Sequence, residues 1–110
     1  MPTVYVTQQN PHFNYAPATR FGRLEFLFPA GHQLQAEAGG AVDLINGVLD
    51  STTAAPDDYL LMTGDPAIMA LAGALLSRRT AGRFRVLKWD NALRDYYAVT
   101  VDLGPVGVAA

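Results

Sequence analysis

The chain has 110 residues, half of them apolar and 16% charged, with a net charge of −2. That length holds one domain. The balance excludes a disordered chain and any strong global attraction to nucleic acid or anionic lipid. Cysteine is absent, which excludes disulfides, thiolate catalysis and cysteine-bound zinc.

The longest apolar run, 67–76, covers 10 residues, whereas a membrane-spanning helix needs about 20. The opening residues, from Met1 to Tyr5, lack a basic stretch followed by an apolar one, so no secretory leader is expected. The expectation is one α/β domain over residues 1–110, located in the cytoplasm and making no membrane contact.

Taken in chain order, Val4 to Thr7 is a short β-prone run. Residues 8–19 follow as a loop broken at Asn10-Pro11 and Ala16-Pro17. Its Phe13 and Tyr15 are expected to pack back onto the body. Arg23 to Phe28 alternates like a strand, with Leu24, Phe26 and Phe28 on one face. Gly40 to Asp50 carries Ala41, Leu44, Ile45 and Val48 at helical spacing.

Tyr59 to Thr63 is a continuous apolar run, the pattern of a strand covered on both faces. Gly64 permits a tight turn, Asp65 suits a helix N-cap and Pro66 the first helical position. The helix from Ala67 to Leu76 reads as apolar on every side, with Arg78 and Arg79 at its negative end and Gly82 as C′ residue. Arg83 to Trp89 is the next strand and Asp90 to Arg94 a turn. In the last strand, Tyr96 to Leu103, residues Tyr97, Val99, Val101 and Leu103 form an apolar face. Residues 104–110 read as a tail.

The resulting order, ββαβαββ, predicts a mixed, mostly parallel sheet of about five strands with two helices and a closing antiparallel hairpin. Right-handed crossovers make the second, third and fourth strands parallel. If these three lie in sequence order, both helices fall on one face. The other face then needs cover from the N-terminal loop or from a partner subunit.

Three places carry chemistry that can be weighed. Gly64 and Asp65 end a parallel strand, where ligands of open α/β sheets bind. Asp65 also supplies the charge that an anion would bring, so a cap and a ligand site both remain open. A Mg²⁺ site there would draw a second carboxylate from Asp57 or Asp58. Secondly, Arg83, Arg85 and Lys88 interleave with Trp89, Tyr96 and Tyr97, which fits either a solvated strand face or a hold on single-stranded nucleic acid. Thirdly, the all-apolar helix offers Ile68, Met69, Leu71, Ala72 and Leu75 either to the core or to a subunit interface. His12 and His32 stand alone, without metal-ligand spacing. No acid–base pair, cofactor motif or metal set is legible, so a non-enzymatic protein without a cofactor is expected over an enzyme.

The segments Asp58 to Pro66, Gly82 to Asp90, and Tyr96-Tyr97 to Asp102-Leu103 resemble small proteins of unassigned activity encoded by tailed bacteriophages. The openings Val4 to Gln8 and Ala18 to Gly22 are similar too. The resemblance implies a phage accessory protein made in the cytoplasm of a bacterial host, and it brings no catalytic residues with it. The expected function is therefore a non-enzymatic protein that self-associates and binds a host or phage protein. The alternatives are nucleic-acid binding through Arg83, Arg85, Lys88 and Trp89, and a nucleotide- or metal-dependent enzyme at Gly64-Asp65.

Overall fold

The structure, a computed structural model, describes residues 1–104. The expected tail beyond Gly104 lies outside the described residues. Five strands form one sheet in the order β2-β1-β3-β4-β5. They are β1 (Thr3–Val6), β2 (Arg23–Phe26), β3 (Tyr59–Leu61), β4 (Arg83–Asp90) and β5 (Asp95–Asp102). The first four are mutually parallel, and β5 returns antiparallel to β4 with Val86 opposite Val99. Two helices, α1 (Gly39–Ser51) and α2 (Pro66–Arg79), provide the last two parallel crossovers. The chain is thus a small α/β domain with a closing hairpin.

The first strand takes a place that periodicity does not reveal. It inserts between β2 and β3 and pairs in parallel with both. The step from β1 to β2 therefore runs opposite to the two steps that follow. With right-handed connections, this sends the 7–22 segment to one face and both helices to the other. The helix face packs Tyr5, Leu60 and Phe84 against Ile45, Leu49, Ile68, Ala72, Leu75 and Leu76. The loop face packs Val4, Val6, Tyr59, Leu61, Leu87 and Tyr96 around Ala18, which sits on a 3-10 segment, Ala16–Arg20. Of the two covers open to the second face, the N-terminal loop is the one used. Every residue of β1 and β3 is buried, as strands covered on both sides must be.

Two local expectations need correction. The 23–28 run ends as a strand at Phe26. Alternation stops there, so Phe28 joins Leu27 on the helix face instead of sharing a face with Leu24. Gly82 is not C′. The C-cap is Thr80, Ala81 takes the left-handed C′ place at φ 53°, and Gly82 N–H reaches back to the Ser77 carbonyl at 2.8 Å. That bond is the 6→1 bond of a Schellman ending.

The helix expected to be oily all round is one-sided. Ile68, Ala72, Leu75 and Leu76 are buried, whereas Ala67, Ala70 and Ala74 face water. Alanine exposes little apolar area, so the outer side of this helix presents only small apolar groups to water. Ile68→Ala is expected to cost about 2–5 kcal/mol, while Ala70→Glu stays within about 0.5 kcal/mol. Urea denaturation of the two variants checks the pair.

Candidate functional site

The carboxyl ends of β1 and β3 are locked together by side chains. Thr7 Oγ1 donates to the Thr63 carbonyl at 2.6 Å and accepts from Thr63 N–H at 2.9 Å. Thr63 Oγ1 donates to the Gln8 carbonyl at 2.6 Å. Gln8 Oε1 accepts from Asp65 N–H at 2.8 Å, and its Nε2 donates to the carbonyls of Pro29 and His32. Gly64 sits at φ 95°, and a Cβ there would stand 2.3 Å from Gln8 Oε1. Only glycine fits both the angle and the space.

Asp65 is fully engaged in this lock. Its Oδ1 accepts from Ala67 N–H at 2.9 Å as the cap of α2, and its Oδ2 accepts from Leu34 N–H at 2.8 Å. The carboxylate that starts the helix also anchors the loop ahead of α1. Asp58, considered as its Mg²⁺ partner, lies at the other end of β3. There it is buried and accepts from Thr3 N–H and Ala55 N–H, each at 2.8 Å. Asp57 precedes it, equally distant along the strand. Beside the lock is a cleft of about 780 Å³ lined by Gln8, His12, His32, Gln33, Gln35 and Asp65 among others. The described residues contain no group of three or more histidines or acids able to hold a metal.

A second cleft, of about 670 Å³, opens between β3 and the β4–β5 hairpin. Pairing of β3 with β4 ends at Leu61 opposite Leu87, yet β4 continues to Asp90. The Thr7–Thr63 bonds draw the end of β3 toward β1, so the end of β4 continues with no strand on its β3 side. Leu61, Leu87 and Tyr96, all buried, border the gap. Trp89 meets Tyr96 edge-on, with centroids 5.0 Å apart, and keeps 42% of its surface exposed. Across the gap stands Phe13, half exposed, with Asn14, Pro17 and His12 beside it. Lys88 and Arg94 also border the cleft, whose lining contains no carboxylate. Burial pushes the Tyr96 hydroxyl above the usual 10.0 of a phenol, and Tyr15 adds to the effect.

The basic residues do not act together. Arg83 pairs with Asp102 at 3.4 Å. Arg85 lies over the Tyr59 ring at 3.9 Å and donates to the Asp57 carbonyl. Arg79 joins Asp50 and Asn46 on α1. Of Arg83, Arg85, Lys88 and Trp89, only the last two reach the hairpin cleft. Of the five α2 residues considered for an interface, Ile68, Ala72 and Leu75 belong to the core, Leu71 packs against it and Met69 is half-buried.

Two features were not visible in the sequence. Phe13 does not pack back as Tyr15 does; the Tyr15 hydroxyl accepts from Asn10 N–H at 2.9 Å and its ring meets Phe26. The apolar face of β5, continued by Leu103 just beyond it, is largely bare: Tyr97, Val99 and Leu103 are exposed by 42%, 39% and 58%. Neither helix reaches out over β5, and only Val101 on that face touches the core. The hydropathy of Tyr97 and Val99 shows a face but not whether anything covers it.

Asp65→Ala removes a cap and a loop anchor together and is expected to cost about 2 kcal/mol. Gly64→Ala is expected to cost more, because strain and a clash add to each other. Denaturant titration checks the order, and limited proteolysis should cut Asp65→Ala faster within residues 29–38.

Comparison with curated proteins and with solved structures returned no match. Comparison with protein families did: residues 2–103 match the family described as Phage Pam3 gp32-like protein. The match spans all five strands and both helices, and the chain therefore belongs to the Phage Pam3 gp32-like protein family.

Proposed function

We propose that this phage accessory protein is non-enzymatic, self-associates through β5, and works in the host cytoplasm by binding a further protein of host or phage. The uncovered apolar stripe of Tyr97, Val99 and Leu103 on an edge strand carries this reading.

Edge strands in soluble proteins are blunted by lysine, proline, a bulge or shortness. β5 is 8 residues long and has none of the first two. Leu103 N–H donates to the Gly82 carbonyl on the β4 side. Odd residues of β5 therefore point their backbone groups inward, and even residues point theirs out. Arg20 caps the outward carbonyl of Tyr96 at 3.0 Å. Ala98 and Thr100 are left to offer outward N–H and C=O groups.

A second copy pairs well with this edge. Antiparallel two-fold pairing centred on Val99 sets Ala98 against Thr100 of the partner copy, and Tyr97 against Val101. Both exposed stripes then lie side by side on one continuous sheet and shield each other's flanks, and no like charges stand directly opposite each other. A self-complementary patch is what a two-fold interface requires.

Light scattering after size exclusion is expected to give a dimer at tens of micromolar, the concentration range of a weak, specific contact. Val99→Lys should yield a monomer with unchanged circular dichroism and stability within about 0.5 kcal/mol. A wild-type chain that stays monomeric throughout that range rejects self-association through β5.

A further inference from the structure

The geometry points to the hairpin cleft as a binding site for one unpaired nucleotide, its base stacked against Trp89 and Phe13 and its phosphate held by Arg94. This site is independent of the β5 pairing. The exposed β5 stripe shares the helix face with Val101, while the cleft opens on the loop face with Leu87 and Tyr96.

Several observations converge on this ligand. The cleft, at about 670 Å³, falls within the roughly 300–1,000 Å³ range of small-molecule sites. It lies at the carboxyl end of a parallel sheet, where such sites form. Trp89 and Phe13 leave large parts of their rings exposed, by 42% and 50%. Half-exposed aromatics on facing walls give a planar base surfaces to stack on. The Trp89 indole N–H is already committed to Asn91 Oδ1 at 2.9 Å, which holds the ring in position.

Charge selects the other half of the ligand. The chain has 10 acidic residues and a net charge of −2, yet none of the acids lines this cleft. The nearest ones are occupied. Asp90 accepts from Ala92 and Leu93 N–H, and Asp95 pairs with Arg20 at 2.9 Å. Arg94 has no ion-pair partner among the described residues. His12 and Asn14 add donors on the opposite wall. A planar apolar ring carrying an anion satisfies both halves. Lys88 borders the cleft, but its ammonium is turned to the Tyr97 ring, 5.9 Å from the centroid, so it adds positive potential without touching the stacking walls.

A free nucleotide and the exposed end of a single strand share this chemistry. Trp89 is the sole tryptophan, so its fluorescence reports on the site. Thymidine monophosphate and a short oligothymidylate are titrated separately into the full chain. Saturable quenching by both with similar affinity assigns a free nucleotide. Tighter binding of the oligomer, weakening steeply with salt, assigns a strand. In either case Arg94→Glu should weaken binding about tenfold, the usual scale for one lost charged contact. Arg78→Glu makes the same charge change at the far end of α2 and should weaken it less than about twofold. Phe13→Ala, a loop substitution remote from the core, should also weaken both probes. The inference is overturned by absence of saturable quenching with either probe, or by equal losses in Arg94→Glu and Arg78→Glu.

Discussion

The hydrogen bonds that join the ends of β1 and β3 shape everything at the working end of this molecule. The Thr7 hydroxyl bonds both the N–H and the carbonyl of Thr63, and Gln8 Oε1 accepts from Asp65 N–H. These contacts commit β3 to β1 just beyond Leu61. β4 loses its neighbour there and carries β5 onward as a hairpin with no strand beside it on the β3 side. The same lock fixes the first turn of α2 through Asp65 and the loop before α1 through Leu34. One small polar cluster thereby decides where a helix starts, where a loop is anchored and where a cleft opens. The Thr7, Thr63 and Gln8 carbonyl partners at its centre are buried, and leaving one of them unpaired would cost more than the bond itself contributes.

The two faces of the sheet meet their cover by different means. Two helices close one face with aliphatic side chains at helical spacing. On the other, a loop with a single 3-10 segment inserts Ala18, Tyr15 and Phe21 over the central strands. Such cover is thinner and reaches the hairpin at Leu87 and Tyr96 but not at Trp89. This explains why Trp89 and Phe13 stay half exposed around the cleft. The helices also stop short, at β4, and leave the stripe of β5 bare. Among the described residues, the exposed large apolar side chains include the Tyr97, Val99 and Leu103 stripe of the last strand and none on α2.

The sequence disclosed its elements because their signals are local. Asp65-Pro66 marks a helix start, and Tyr59 to Leu61 is apolar without alternation because both faces are covered. The hairpin was legible from Phe84 and Val86 alternating with charged residues, followed by the turn ending at Arg94. The place of β1 was hidden, since Thr3–Val6 carries no mark of which neighbours it will take. The all-apolar helix misled because hydropathy does not weigh size: Ala67, Ala70 and Ala74 count as apolar yet expose little. Of the candidate sites, the Gly64-Asp65 corner was legible as a cap. The hairpin cleft was only half visible, through Trp89, because Phe13 and Arg94 are brought together by the fold across 81 positions of sequence.

Native-state hydrogen exchange of individual amides tests the lock most directly. Thr63, Asp65 and Leu34 each donate their N–H to a side-chain oxygen, not to a backbone ladder. If the lock belongs to the cooperative core, these three amides exchange only on global unfolding, at the free energy of the central strands. If they exchange as quickly as an exposed turn, β3 is not held to β1 beyond Leu61, and the account of the cleft is contradicted.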